Sequence, residues 1–250
     1  MERRWILIAM SVLALLTPMI AGGEMRVVDG TVNDYFGDAK EAALARAGAQ
    51  GNAGEIERLV HQGANVNAVG DKNMSPLGWA LAAKNVRGVK ALLNSGANPN
   101  QEVGPEHEIH LVWLAAGFDS PDLLKVLLEH EGDPNARHKG LLFNAMRQAV
   151  MHPDNMKLLV DAGADVNAAD AVGFGVAQIA AGLGQFDVVD YLLEHGYRRD
   201  LPLLAWELND GPVRESLIEK RKKTLGILKS LGYEPQPGGP PKRVGMTPAK

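Results

Sequence analysis

The sequence predicts an all-α solenoid of about five to six helix-turn-helix units joined by short hairpin-like turns. Three observations predict it. One phrase recurs: Leu59-Val-His-Gln-Gly-Ala-Asn-Val-Asn67, Leu92-Leu-Asn-Ser-Gly-Ala-Asn-Pro-Asn100, Leu127-Leu-Glu-His-Glu-Gly-Asp-Pro-Asn135, Leu159-Val-Asp-Ala-Gly-Ala-Asp-Val-Asn167 and, weaker, Leu192-Leu-Glu-His-Gly-Tyr-Arg-Arg-Asp200. The opening leucines stand 33, 35, 32 and 33 residues apart, and a degenerate copy at Leu228-Lys-Ser-Leu-Gly232 follows after 36. Aromatic residues make up only 5% of the chain while Ala and Gly are plentiful, which suits closely stacked helices better than a sheet sandwich.

Each phrase has a physical reading. The paired apolar residues close a helix, and Gly63, Gly96, Gly163 and Gly196 supply the left-handed turn that ends it. The Asn or Asp two positions further on bonds nearby backbone in a tight turn. About twenty residues before each Gly lies an Ala-rich helix, as in Ala43-Leu-Ala-Arg-Ala-Gly48 or Ile179-Ala-Ala181, whose small side chains let neighbours approach. Such a unit cannot bury its apolar face alone, so the units must stack.

These motifs resemble the ankyrin repeat over roughly residues 40–233. Ser75-Pro76-Leu77-Gly78-Trp79-Ala80 stands where that family has Thr-Pro-Leu-His-x-Ala, and Phe186 to Gly196 follows its second helix closely. The family's His is replaced by Gly78, Trp113, Ala145 and Gln178 in this alignment. The fourth repeat carries Phe143-Asn144 in place of Pro-Leu, and the linker from Val103 to Glu108 is slightly long.

Residues 1–23 read as a secretory signal peptide: a basic Glu2-Arg3-Arg4 start, an apolar run from Trp5 to Leu16, then small residues up to Gly23. An uncleaved N-terminal anchor is the alternative. Residues 24–38 form a lead-in in which Asp34 to Ala39 caps the first helix; residues 39–234 are the array with its closing helix, about Val213–Leu231; residues 235–250, with five prolines, read as a disordered tail. The run Lys220-Arg221-Lys222-Lys223 reads as the solvated face of the closing helix, with anionic lipid contact as the sharper alternative.

Composition and motifs exclude much. Apolar residues at 46% rule out a wholly disordered chain, and a net charge of −4 argues against a nucleic-acid footprint. With no cysteine there is no disulfide, thiolate metal site or cysteine nucleophile. No nucleophile elbow, phosphate-cradling glycine loop or calcium loop is present. His107-Glu-Ile-His110 lacks a third metal ligand at short range and reads as an exposed finger loop, a metal-dependent enzyme ranking far behind. His130 and His195 share one structural slot at the end of a second helix. The carboxylates Glu55, Glu57, Asp187 and Asp190 fall on helices that ankyrin packing leaves exposed, with no pocket to separate their pKa values. The reading is a non-enzyme with no cofactor, no metal and no small-molecule substrate, monomeric by default.

The family resemblance implies recognition of protein surfaces through the concave face of the first helices and the turn tips. Carried over by position, the concave stripe is Ala83, Phe118, Val150 and Leu183, unless the register is off by one and these residues pack internally. The turn tips are Asp71, Lys72, Met74, Glu106, His107, Ile109, His138 and Lys139. Trp79 and Trp113 read as packing between repeats rather than as binding anchors. The layout (export signal, Tyr-Phe-x-Asp lead-in at 35–38, five or six repeats) resembles bacterial exported ankyrin proteins, a group that includes immunity proteins against envelope-targeting toxins. It implies an exported, periplasmic scaffold whose protein partner is a toxin, such as a phospholipase effector, occluded at its active site. An accessory, maturation or protective factor for a periplasmic enzyme is the alternative.

Overall fold

The computed structural model describes residues 31–106, 108–139, 143–170, 173–235 and 241. The signal or anchor segment at 1–23, and all of the tail but Pro235 and Pro241, lie outside the described residues. The chain divides into two compact units, one ending at Ala164 and the other starting at Asp165.

In the first unit a short helix α1 (Val32–Tyr35) is capped at its start by Asp34, whose Oδ2 accepts from both the amide and the hydroxyl of Thr31, at 2.6 and 2.8 Å. Tyr35 and Phe36 are buried, so the lead-in packs as a piece of the core. Asp38 then caps α2 (Ala39–Gln50), accepting from the Lys40 and Glu41 amides at 2.7 and 3.3 Å. The helix pairs are α2 with α3 (Ala53–His61), α4 (Pro76–Ala82) with α5 (Val86–Asn94), α6 (Leu111–Ala116) with α7 (Pro121–Glu129), and α8 (Ala145–Gln148) with α9 (Pro153–Asp161). Each second helix starts on a device readable from sequence: Asn52 and Asn85 accept from the amides of Glu55 and Gly88, while Pro121 and Pro153 occupy the first turn. Leu44, Ile56, Leu77, Leu92, Leu114 and Leu124 are fully buried between the layers. Gly88 allows the closest approach: a Cβ there would overlap the Gly48 carbonyl.

The recurring phrase does two jobs. Its first Asx closes a local turn, since Asn65, Asn98 and Asp133 each accept from the amide two residues on, at 3.0, 2.9 and 2.8 Å. Its last Asn reaches into the following repeat. Asn67 Nδ2 donates to the Gly96 carbonyl at 2.9 Å while its Oδ1 accepts from the Asn98 amide at 2.7 Å. Asn100 repeats this with the Glu131 carbonyl and the Asp133 amide, again at 2.9 and 2.7 Å. Sequence reading assigns the turn and misses the clamp. Gly63, Gly96 and Gly163 have φ of +85, +92 and +91°, the left-handed stop expected of them. In the third repeat that position is Glu131, at φ +66°.

Between repeats the chain forms hairpins. Strand β1 (Glu102–Val103) pairs antiparallel with β2 (Ile109–His110), and β3 (Arg137–His138) with β4 (Phe143–Asn144). The fourth repeat departs from the others in length. From first-helix cap to second-helix start there are 12 residues in Ser75–Val86 and in His110–Pro121, but 10 in Asn144–Pro153. A 3₁₀ turn at Ala149–Met151 replaces the end of the helix, its steeper rise per residue spanning the gap with fewer residues. Asn144 caps α8 by accepting from Arg147 at 2.9 Å, as Ser75 accepts from Gly78. Counted from these caps, the residue in the family's His position is Arg147 rather than Ala145. Its guanidinium lies 3.8 Å from the Phe143 ring centroid.

In the second unit an isolated bridge, Ala169 to Gly175, precedes α10 (Val176–Gly182) and α11 (Phe186–Glu194), followed by α12 (Leu201–Asp210) and α13 (Ile218–Ser230). The Asn clamp recurs: Asn167 bonds the Gly196 carbonyl at 3.1 Å and the Arg198 amide at 2.7 Å. The closing helix starts later than Val213, because the chain runs extended into a 3₁₀ turn at Glu215–Leu217 after Gly211-Pro212. Its basic run does not simply face solvent. Lys220 pairs with Asp187 at 2.5 Å and Lys223 with Asp190 at 2.8 Å. Asp190 is 4% exposed and accepts from the buried Thr224 hydroxyl at 2.6 Å, so the expectation of an exposed Asp190 is corrected: α13 covers it. The Asp190 carboxylate holds the Lys223 ammonium pKa above its ordinary value.

Candidate functional site

Three of the first helices, α4, α6 and α8, have almost no free face. Every residue of α6 is buried, as are Pro76 to Gly78, Ala80 and Leu81 of α4 and Ala145 to Gln148 of α8. The expected stripe therefore does not run along helix faces. Ala83 and Phe118 lie in the loops joining first to second helix, exposed and half-buried, and Leu183, half-buried, occupies the same loop in the second unit. Val150 is 1% exposed and belongs to the core, which corrects its placement on the binding surface. A register counted back from Pro153 fails here, because the two missing residues move it inward.

The residue that surfaces instead is Met151, 50% exposed. It sits opposite Phe118 across a notch of ≈ 90 Å³ lined also by Asp119, Pro121, His152, Pro153, Asp154 and Asn155. The notch is a step between a full-length loop and a shortened one. Asn155 fixes its floor: 1% exposed, it donates from Nδ2 to the Ala116 and Phe118 carbonyls at 3.0 and 2.8 Å. Asn85 acts alike in the α4/α5 pair, donating to the Ala49 carbonyl at 3.0 Å. Lys84 stands 5.4 Å over the Phe118 ring centroid, and Lys157 pairs with Asp154 at 3.4 Å. Sequence reading misses Met151, Asp119 and His152. The signal is the count from Asn144 to Pro153.

The turn tips divide. Asp71, Lys72, Glu106 and Lys139 are exposed, and Ile109 and His138 are half-buried. Met74 is 2% exposed and packs against Gly78, so it leaves the candidate surface. His107 lies outside the described residues. Lys139 is engaged with Glu102 at 2.5 Å and donates its amide to the Glu108 carbonyl at 3.0 Å, tying the two hairpins together. His138 meets Trp113 edge to face at 4.7 Å. Trp113 is 1% exposed, so it is packing rather than an anchor, and half-buried Trp79 stands edge-on to Tyr35 at 5.2 Å. His110 caps α6, its Nδ1 accepting from the Val112 amide at 3.3 Å. Burial pushes the pKa of both His110 and His138 below the ordinary imidazole value; nearby carboxylates (Asp133 and Glu102 for His110, Glu108 for His138) oppose it only partially. His130 bridges repeats, bonding Val126 O at 2.8 Å and Asn94 Oδ1 at 3.0 Å.

Among the described residues no group of three or more His, Asp or Glu side chains is placed to hold a metal ion, and no helix is long and apolar enough to cross a membrane. What the described surface offers is an apolar step with charged margins and a layer of hairpin tips.

The profile of ankyrin repeats matches residues 111–201 with three copies, the span from the start of α6 to the start of α12. Residues 111–201 are ankyrin repeats. The chain is also 32% identical over 117 residues to the Alpha-latrocrustotoxin-Lt1a of Latrodectus tredecimguttatus, 45% of this chain and 8% of that protein. It is 33% identical over 135 residues to the Mitochondrial disaggregase of Bos taurus, 51% of this chain and 19% of that protein. The chain thus spans under a fifth of the length of either relative, and the likeness carries no whole-protein activity across. The helix pairs α2/α3 and α4/α5, upstream of the matched span, show the same clamp and left-handed stop as the ankyrin repeats proper.

Proposed function

We propose that this protein is a non-enzymatic binding scaffold that docks a protein partner at the loops joining first to second helices, with the Phe118–Met151 notch as its anchor point. One observation carries this: the shortened fourth repeat turns out a methionine half exposed beside an aromatic ring, where the matching positions of the regular repeats hold the small residues Ala82 and Gly117. A central apolar anchor with a charged margin is the arrangement in which few residues supply most binding energy. A stable complex needs about 1,200–2,000 Å² of total buried surface, which the notch alone lacks. The exposed Ala83 and the hairpin tips supply the remainder.

The reading extends to place and role. The basic start, apolar run and small residues before Glu24 support export to a bacterial envelope, and the absence of cysteine is compatible with it. Within that setting the role is that of an immunity protein: a scaffold covers the active site of an incoming toxin such as a secreted phospholipase.

Affinity capture from envelope extract, with the full chain and a Phe118→Asp, Met151→Asp variant side by side, tests the docking reading. Both side chains are partly exposed, so the variant keeps the core. The expected result is one dominant partner that the variant loses by about 100-fold or more in affinity. Equal capture by a folded variant would refute the notch. An activity assay on the captured partner then separates inhibition from assistance.

A further inference from the structure

Two imidazoles occupy matching places in adjacent hairpins. His110 ends β2 and His138 ends β3, and those two strands pack together. Across β1–β2 the register sets His110 opposite Glu102, and across β3–β4 it sets His138 opposite Phe143.

His110 is tied to the neutral state by the hydrogen bond it accepts, and His138 by its half-buried seat against the apolar α6. His110 accepts the Val112 amide on Nδ1 and so supplies the cap of α6, and a ring protonated on both nitrogens has no lone pair left to accept with. His138 lies edge-on to Trp113, which is 1% exposed and whose indole Nε1 has no hydrogen-bond partner among the described residues; a backbone hydrogen bond at His138 favours the charged ring but does not outweigh this burial. The charges around them come from every neighbouring element. Glu102 on β1 faces His110 but is already engaged by Lys139, and Asp133 and Glu108 flank the layer from the loops. On the cationic side stand Arg137 and Lys139 beside His138, and Arg147 of α8 stacked on the ring of Phe143. The helix that the hairpins cover, α6, is wholly apolar and carries no counter-charge. A protonated His110 would compete with Lys139 for Glu102 and forfeit a helix cap, and a protonated His138 would add a third positive charge beside Arg137 and Lys139.

We propose that the β1–β4 hairpin layer is an acid-labile latch, closed while His110 and His138 are neutral and opening when both take up protons. Burial disfavours the charged form of each, in keeping with the geometry. The sign follows: the folded layer binds fewer protons than the open one, so its stability is fully present above the ordinary imidazole value near 6.5 and is lost as pH falls through the depressed folded values. The layer carries four of the turn-tip residues, Glu106, Ile109, His138 and Lys139, so mild acid would release whatever those tips hold. Opening is local, because the helix pairs beneath have their own buried leucines.

Hydrogen exchange on the full chain tests this without any partner. Protection factors, corrected for intrinsic exchange, are compared at about pH 7.5 and about pH 5. Peptides spanning 101–116 and 136–148 should lose protection on the order of ten-fold, while peptides from α4 and α5 hold theirs. In a His110→Asn, His138→Phe variant the loss should vanish: Asn caps without titrating and Phe keeps a ring against Trp113. Should that variant lose protection already at pH 7.5, His110→Asn alone is the comparison, and it should halve the acid effect or better. A wild-type layer indifferent to pH, or variants that lose as much as wild type in acid, overturns the latch.

Discussion

Glu131 carries a strain that its counterparts do not. At the end of each second helix the chain turns left-handed, and Gly63, Gly96, Gly163 and Gly196 make that turn at φ between +85 and +92°. In the third repeat the glycine has slipped one place, to Gly132, and Glu131 takes the turn at φ +66°. A side chain in that region costs roughly 1–2 kcal/mol. Replacing Glu131 by Gly removes this, at the expense of about 0.4–1 kcal/mol of extra freedom in the unfolded chain. The net expectation is a gain of about 0.5–1 kcal/mol, or a rise in Tm of about 1–4 °C for a unit of this size. Two controls isolate the cause. Gly96→Ala should lose about 1 kcal/mol by the same conformational argument, because among the described residues nothing lies within 4 Å of a Cβ there. Gly132→Ala should lose more, about 1–3 kcal/mol, for a different reason: its Cβ would lie 2.7 Å from the Leu127 carbonyl oxygen and 2.8 Å from Val112 Cγ2. Urea unfolding with unchanged slope reads all three. If Glu131→Gly is neutral or destabilising while Gly96→Ala is destabilising, the strain is not where the dihedrals place it and the reasoning fails.

Two further outcomes follow, one from an Asn clamp and one from the closing helix. Asn100→Ala removes two hydrogen bonds that tie adjacent repeats, each worth about 0.5–1.5 kcal/mol where water can replace it, so unfolding should show a loss of about 1–3 kcal/mol; no measurable loss would reduce the clamp to decoration. In the second unit, Thr224→Val keeps the shape but withdraws the hydroxyl from buried Asp190, and thermal unfolding should register a loss of about 1.5–3 kcal/mol. A value near zero would mean that Lys223 alone satisfies Asp190.

Much of the local structure is written in the chain. The Leu-Leu-x-x-Gly-Ala-Asn-x-Asn phrase states where a helix stops, which residue turns left-handed and which Asx closes the next turn, because each step depends on side chains within five residues. Pro121 and Pro153 mark helix starts for the same reason. What the phrase could not state is the use of its last Asn: Asn67 and Asn100 look like a second turn residue, and their partners lie 29 to 33 residues away. Asp190 fails similarly. Read alone, α11 offers it to solvent, and only the packing of α13 buries it against Thr224.

The notch shows most plainly why a repeat can be found while its surface is misread. Aligning repeats by their second helices treats the first helix as constant in length, and that assumption holds for Ser75–Val86 and His110–Pro121 but breaks in Asn144–Pro153. The core forces the outcome. Ala149 and Val150 are 0 and 1% exposed, so they keep the buried places that the regular repeats fill with Ala80 and Ala115 and the residues after them. The shortage then falls on the loop, where two fewer residues must still reach Pro153, and Met151 has nowhere to go but outward. A deletion that the interior refuses is thus exported to the surface, and it leaves beside Phe118 the step on which the binding proposal rests. Restoring two residues to that loop, as Gly-Asn after Met151, should cover the methionine, close the notch and abolish partner capture while leaving the helices intact by circular dichroism. Capture that survives the insertion would show that the hairpin tips, and not this step, hold the partner.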